Sequence, residues 1–122
     1  MSEPRVPKPG RSEIWEVDWS PGRGAEQIGR RPALIIQNDH GNHSDVYPNT
    51  IVTTISTKGR DTPFHVLIRK SKTNGLKADS YVKCEQILTI SKMRLIGKAC
   101  GRLTDDEMTL VSGAIKLSLA LA

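Results

Sequence analysis

The chain has 122 residues and a net charge of +5, and its pI is near 9.5. That length accommodates one domain with one hydrophobic core. No apolar run is long enough to span a bilayer, and no signal segment opens the chain, so we expect a cytoplasmic protein without a membrane partner. The basic charge favours anionic partners such as nucleic acid, although charge of this size also serves solubility alone.

The first ten residues, MSEPRVPKPG, are rich in proline and charge. They predict a flexible arm over residues 1–10, followed by a single domain over residues 11–122. Cys84 and Cys100 lie far apart, and the sequence holds no CxxC motif or Cys/His cluster. We therefore expect two reduced core cysteines, no structural metal site and no cofactor.

The first half of the chain predicts two strands around a glycine-rich loop. Trp15, Val17 and Trp19 alternate along one face of the first strand, and Ile14 begins the opposite face. Residues 22–30 combine glycine with charge, which is typical of a mobile loop. The unbroken apolar run 32–36 predicts a buried strand with Pro32 at its first position. Residues 38–42 predict a turn.

The second half predicts four more strands and a terminal helix. The β-branched run 50–57 predicts a strand that carries Ile51, Thr53 and Ile55 on one face. Its other face carries Val52, Thr54 and Ser56. Further strands are predicted over 64–68, 80–90 and 96–100, with a helical turn capped by Ser91 before the last. Residues 104–107 have the capping-box form that begins a helix.

The predicted C-terminal helix has a wide apolar stripe, formed by Met108, Leu110, Val111, Ala114, Ile115, Leu117, Leu119 and Leu121. One small barrel does not need so wide a stripe, so we expect part of it to pack against a second subunit. Deep burial of the helix is the alternative. Short, evenly spaced strands followed by one helix predict a mainly β fold, a small antiparallel barrel with a C-terminal helix.

Three groups of residues are candidates for chemistry. Arg31 begins a buried strand and Ser56 ends another, so one barrel rim could bring both to a phosphodiester. A histidine pair such as His43 and His65 could supply general acid–base cleavage of RNA, although the spacing does not demand it. Glu85 and Gln86 are unexpected inside a core strand, and they could read base edges of single-stranded RNA or face solvent.

Several linked motifs resemble one known family. The segments RSEIWEVDWSP, GAEQIGRRPALIIQNDHGN, TTIST, TPFHV, CEQILTISKMRL and LTDDEM are similar in order and spacing to the MazF/PemK endoribonuclease toxins of bacterial type II toxin–antitoxin systems. The similarity runs from about residue 11 to residue 122. It implies an SH3-like antiparallel barrel of the CcdB/PemK type with a C-terminal helix, and a homodimer.

The resemblance also implies an activity. Members of this family cleave single-stranded RNA, chiefly mRNA, at short specific sequences without a metal, which inhibits translation and growth. The ribose 2′-hydroxyl attacks the adjacent phosphate, leaving a 2′,3′-cyclic phosphate and a 5′-hydroxyl end. A cognate MazE-like antitoxin neutralises the toxin.

By motif, the resemblance assigns catalysis to Arg31 and to Ser56, which stands where the family most often has threonine. Because a guanidinium stays protonated in proteins, Arg31 is expected to stabilise charge and donate protons rather than accept them. Leu88 stands where many relatives have an RNA-contacting arginine. The RNA-binding residues that we predict are Glu26, Gln27, Arg30, His65, Glu85 and Gln86.

Two other functions are compatible with the same barrel. One is a non-enzymatic, CcdB-like toxin that binds a protein target such as gyrase, which would not require both the RRP and the EQ motifs. The other is an RNA-binding module that holds RNA on the barrel rim without cleaving it.

Overall fold

The computed structural model describes residues 6–20 and 29–121 of the chain. The described residues form six strands, two α-helices and one 3-10 turn. In chain order these are β1 (Glu13–Asp18), β2 (Arg30–Ile35), α1 (Asp39–His43), β3 (Asn49–Ser56), β4 (His65–Ile68), β5 (Ser80–Ser91), the 3-10 turn (Lys92–Arg94), β6 (Leu95–Arg102) and α2 (Asp105–Ser118).

The six strands make one antiparallel sheet in the order β4-β5-β3-β2-β1-β6. The loop after β4 reaches the opposite edge of the sheet, where the Arg102 amide of β6 donates to the Thr73 carbonyl at 3.0 Å. This contact bends the sheet round on itself and covers part of an edge that would otherwise be open. The predicted fold, a mainly β antiparallel barrel with a C-terminal helix, is confirmed.

Both faces of the sheet are apolar. One face packs against α2 and includes Ile14, which is fully buried at the start of β1. The other face is buried beneath Trp15, Val17 and Trp19, as the alternation in β1 predicts. Since Ile14 and Trp15 lie on opposite faces and are both buried, β1 passes through the middle of the molecule.

Two local predictions were wrong. Residues 38–42 do not form a turn: residues 39–42 belong to α1, and the Asn38 side chain caps that helix by accepting from the Gly41 amide at 2.8 Å. Pro32 is the third residue of β2 rather than its first, since the ladder with β1 already begins at Arg30. The helical turn capped by Ser91 is confirmed.

The capping box of α2 is confirmed. Thr104 Oγ1 accepts from the Glu107 amide at 3.1 Å, and Glu107 Oε1 accepts from the Thr104 amide at 2.9 Å. Only part of the apolar stripe is buried against the sheet, by Met108, Val111 and Ala114. The four leucines of the stripe, Leu110, Leu117, Leu119 and Leu121, are exposed, and the last two of them follow the end of the helix at Ser118.

The two cysteines differ in environment. Cys84 is buried as predicted, whereas Cys100 is exposed, which corrects the expectation of two core cysteines. Burial, and secondarily the neighbouring Glu85 carboxylate, raises the pKa of the Cys84 thiol from 9.0 to about 12. Between these two pH values the unfolded chain loses a proton that the folded chain keeps, so this contribution to stability is lost as pH rises.

When the native protein is treated with Ellman's reagent at pH 9, we expect one thiol per chain, that of the exposed Cys100, to react first. The buried Cys84 thiol remains protonated at this pH and should not react. Both thiols should react in denaturant. The control is Cys100→Ser, whose native form should stay silent until it is unfolded. Rapid reaction of native Cys100→Ser would contradict the burial of Cys84.

Residues 6–10 have no regular secondary structure. Pro9 is buried, and Lys8 Nζ lies 2.9 Å from Asp45 Oδ1. A boundary between arm and domain after residue 10 stays a prediction. Within the described ranges, neither helix is long and apolar enough to cross a membrane.

Candidate functional site

The pairing of β2 with β3 stops short of the ends of both strands. Its last pair is Ala33 opposite Thr54. The Ile36 amide donates to the Ile51 carbonyl of β3 at 2.9 Å, and backbone groups alternate in direction along a strand, so the backbone nitrogen of Pro32 also faces β3. Proline has no N–H to offer there. The missing hydrogen bond explains why the ladder ends at this point.

Arg31 and Ser56 lie at this open end. Each stands two residues beyond the last pair, so both project from the same face of the sheet as Ala33 and Thr54. The exposed Arg31 accepts from the Trp19 indole through its carbonyl at 3.3 Å. Ser56 Oγ accepts from the Lys58 amide at 3.1 Å, which leaves its hydroxyl proton to donate elsewhere. The structure therefore places the two predicted catalytic residues at the same end of neighbouring strands and on the same face of the sheet.

Glu85 and Gln86 lie in a bulge of β5. Thr53 pairs with Ile87, but the next residue, Thr54, pairs with Lys83, so the three residues 84–86 have no partner on β3. The hydroxyl of Thr54, which is 1% exposed, donates to Gln86 Oε1 at 2.5 Å. With its oxygen held, the Gln86 amide presents its NH₂ group outward as a donor.

A second anchor holds Glu85. His65 Nε2 lies 2.8 Å from Glu85 Oε2, and His65 Nδ1 accepts from the Arg60 amide at 3.0 Å. Because Nδ1 is an acceptor in this network, we assign the ring proton to Nε2, which donates to the carboxylate. His65 therefore orients Glu85 and ties it to the loop between β3 and β4.

The histidine pair considered from the sequence is not assembled. His43 belongs to α1, which lies at the start of β3, where the Thr50 hydroxyl donates to Asn42 Oδ1 at 2.7 Å. His65 belongs to β4 and pairs with Lys83, near the other end of β3. The two histidines therefore lie at opposite ends of the sheet. This placement does not support an acid–base pair.

Three residues of the site were missed from the sequence: Thr54, Tyr81 and Lys83. Tyr81 pairs with Ser56 and Lys83 pairs with Thr54, so both extend the same polar face across β5. A Cβ at Gly59 would lie 2.3 Å from Tyr81 Cγ, so only glycine fits against that ring. Alternation along β5 could have found these residues, but the bulge at 84–86 interrupts it.

The remaining predicted residues are less defined. Arg30 is exposed and pairs with Asp18 of β1. Glu26 and Gln27, together with most of the predicted loop 22–30, lie outside the described residues. No three His, Cys, Asp or Glu side chains of residues 6–20 and 29–121 come together as metal ligands.

One face of the barrel thus carries the Arg31 guanidinium, the Ser56 hydroxyl and the Gln86 NH₂ group. Donors of these kinds bind phosphates and base edges, so the face has the chemistry of a nucleic-acid-binding site. The family of PemK-like, MazF-like toxins of type II toxin–antitoxin systems matches residues 10–119. The chain is 42% identical over 113 residues to endoribonuclease EndoA of Bacillus subtilis (strain 168), covering 91% of this chain and 94% of that protein. The chain therefore belongs to the PemK-like, MazF-like toxin family.

Two further comparisons agree. Endoribonuclease MazF9 of Mycobacterium tuberculosis is 36% identical over 115 residues, which is 91% of this chain and 96% of that protein. A solved mycobacterial endoribonuclease in complex with its cognate antitoxin has a TM-score of 0.76 at 24% identity, covering 93% of this chain and 97% of that one. At 24% sequence identity, this structural similarity shows that the two proteins share a fold.

Proposed function

We propose that this member of the family is a sequence-specific endoribonuclease that cleaves single-stranded RNA, chiefly mRNA, without a metal. The observation that supports the proposal is that Arg31 and Ser56 each stand two residues beyond the last β2–β3 pair, at the same end and on the same face. Its relatives EndoA and MazF9 are both named endoribonucleases. Cleavage of mRNA would inhibit translation and growth.

In the proposed reaction the ribose 2′-oxygen forms a bond to the adjacent phosphorus as the bond from phosphorus to the 5′-oxygen breaks. The 2′-hydroxyl passes its proton to solvent water. The departing 5′-oxygen takes one up through a hydrogen bond from Arg31, which we propose as the donor and which regains its proton from water, so that the guanidinium is protonated before and after the reaction. The products are a 2′,3′-cyclic phosphate and a 5′-hydroxyl end. The Arg31 fork and the Ser56 hydroxyl stabilise the negative charge that builds on the phosphate oxygens.

Base recognition is proposed for the bulge. The NH₂ group of Gln86 faces outward because Thr54 holds its oxygen, and the Glu85 carboxylate is held by His65. Together they offer one donor and one acceptor to the edges of unstacked bases. Arg30, and Glu26 and Gln27 of the preceding loop, are proposed as further RNA contacts.

The substitution Thr54→Val should relax sequence preference. Valine matches the shape of threonine but removes the bond to Gln86, which is worth about 0.5–1.5 kcal/mol. We expect the preference for the best site over single-base variants to fall by about 2- to 10-fold, as measured by sequencing the cleaved ends of a randomised RNA.

The matched control is Thr53→Val. Thr53 is fully buried, and its hydroxyl has no hydrogen-bond partner in the described part of the chain, so valine there should keep both preference and stability. Unchanged preference in Thr54→Val, or an equal loss in Thr53→Val, would show that Thr54 does not orient Gln86 for recognition.

The proposed function is tested by incubating the protein with a mixed-sequence RNA in EDTA. Discrete fragments with 5′-hydroxyl ends are expected. RNA that is bound but stays intact would favour the RNA-binding module, and neither binding nor cleavage would favour a toxin that targets a protein. Activity that disappears in EDTA and returns with metal would contradict the metal-free mechanism.

We also propose the partners and the location. The mycobacterial neighbour is solved with its cognate antitoxin, and a protein that cuts cellular RNA needs such restraint, so we propose a MazE-like antitoxin that covers the basic site. We propose a homodimer that buries the exposed leucines of α2, a cytoplasmic location, and a toxin domain spanning residues 11–122.

A further inference from the structure

We infer that Arg94 is a positioning residue that holds Arg31 in place, an inference that rests on the proposed function. Arg94 is the last residue of the 3-10 turn before β6. Its Nη1 donates to the backbone carbonyls of Asp18 and Ser20, each at 2.9 Å. Hydrogen bonds from a charged donor are stronger than those between neutral groups, so this clamp can fix the end of β1.

The two hydrogen bonds from Arg94 lie just beyond the end of the β1–β6 ladder. The last pair of that ladder is Val17 opposite Leu95. The Trp19 amide donates to the Gly29 carbonyl on the β2 side at 2.8 Å, so by alternation the carbonyls of Asp18 and Ser20 face the β6 side. β6 offers no further backbone donors there, and the Arg94 guanidinium supplies them.

Between the two clamped carbonyls lies Trp19, which is 7% exposed. Its backbone amide donates to the Gly29 carbonyl, and its indole Nε1 donates to the carbonyl of Arg31 at 3.3 Å. On the other side of β2, Pro32 ends the pairing with β3, so the backbone at Arg31 is held from the β1 side. Arg31 pairs with Val17 of β1, and the Trp19 indole adds a second hold on its carbonyl, so Arg94 acts on the Arg31 backbone by fixing the end of β1.

The competing role for a basic residue near this site is contact with an RNA phosphate. The two roles differ in what they require. A phosphate contact needs a positive charge, which lysine also supplies, and contributes about 0.7 to the salt slope of single-strand binding. The clamp places both N–H groups of Arg94 Nη1 between two carbonyls, and the lysine side chain is shorter, so its ammonium does not reach the same position without moving the end of β1.

The experiment measures kcat, KM and the salt dependence of RNA affinity for Arg94→Gln and Arg94→Lys. Affinity is measured on an RNA with a 2′-deoxy sugar at the cleaved position. We expect kcat to fall about 10- to 100-fold in both variants, because a small misplacement of a reacting group is costly, with KM and the salt slope unchanged. Arg69→Gln is the charge-matched control, since the Arg69 side chain is 80% exposed in an ion pair with Asp79.

A phosphate contact predicts a higher KM and a smaller salt slope in Arg94→Gln, with Arg94→Lys close to wild type. That result would overturn the inference. Wild-type kinetics in both variants would overturn it too. If Arg94→Gln does not fold, Trp19→Phe tests the same chain of contacts, because it keeps an aromatic ring but loses the bond to Arg31. Its kcat should fall at constant KM, and a wild-type kcat would contradict the inference.

A readout without RNA separates this inference from the proposed function. In a Trp15→Phe background, Trp19 is the remaining tryptophan, because the chain has two. Arg94→Gln should increase the quenching of its fluorescence by acrylamide, as the end of β1 loosens. Unchanged quenching would refute the clamp. Increased quenching in a protein whose wild type cuts no RNA would refute the proposed function and leave the clamp standing.

Discussion

Arg31→Ala should lower the rate of RNA cleavage by about 10²- to 10³-fold, the usual loss when one donor to a developing negative charge is removed. The substitution removes the guanidinium that we propose contacts the phosphate at the open end of β2 and β3. The carbonyl of residue 31 still accepts from Trp19, so the fold should persist. RNA binding should weaken modestly, with a salt slope smaller by about 0.7.

Arg30→Ala is the matched control for this prediction. Arg30 is the neighbouring residue, is also exposed, carries the same charge and projects from the opposite face of β2. Because Arg30 is proposed as an RNA contact, its loss should weaken binding, but the single-turnover cleavage rate at saturating enzyme should stay within a few-fold of wild type. If Arg30→Ala loses as much activity as Arg31→Ala, the effect is one of general charge, and the role assigned to Arg31 is wrong.

Leu117→Glu should convert the proposed dimer to a monomer. Leu117 is 55% exposed in the single chain and lies on α2 with the exposed Leu110, and Leu121, just after the helix, is exposed as well. A patch of this kind on a helix marks an interface. An uncompensated charge buried in that interface costs about 3–5 kcal/mol, so dimerisation should weaken by roughly 10²-fold to a few thousand-fold, as measured by analytical ultracentrifugation.

Lys116→Gln provides the control, because it changes the net charge by the same amount at an exposed neighbouring position of α2. It should sediment as wild type does. A wild-type protein that is monomeric at micromolar concentration, or a Leu117→Glu variant that remains dimeric, would show that the leucines of α2 do not form the subunit interface.

Local patterns were sufficient for most of the fold. Period-two alternation in β3 separated Val52, Thr54 and Ser56 from the other face, and pairing with β2 and β5 confirms that division. The capping box set the start of α2 within the sequence itself. These features depend on neighbours a few residues apart, which is why a single sequence reveals them.

The features that were missed depend on distant contacts. The bulge at residues 84–86 exists because β3 and β5 pair in two registers, and Gln86 takes its orientation from Thr54, 32 residues away. The surroundings of Cys100 include the loop after β4, whose Gly75 lies against the Cys100 backbone. The clamp by Arg94 joins residues 74 and 76 positions apart in the chain. No local pattern records such pairs.

The measurement that most directly tests the account compares wild type with Arg31→Ala on one long RNA of mixed sequence in EDTA, with every new 5′ end mapped. Wild type should produce a small set of recurring cuts that carry 5′-hydroxyl ends, and Arg31→Ala should leave the RNA intact over the same time. Identical fragments from both proteins, or intact RNA with wild type until a metal is added, would contradict cleavage by the Arg31 and Ser56 site.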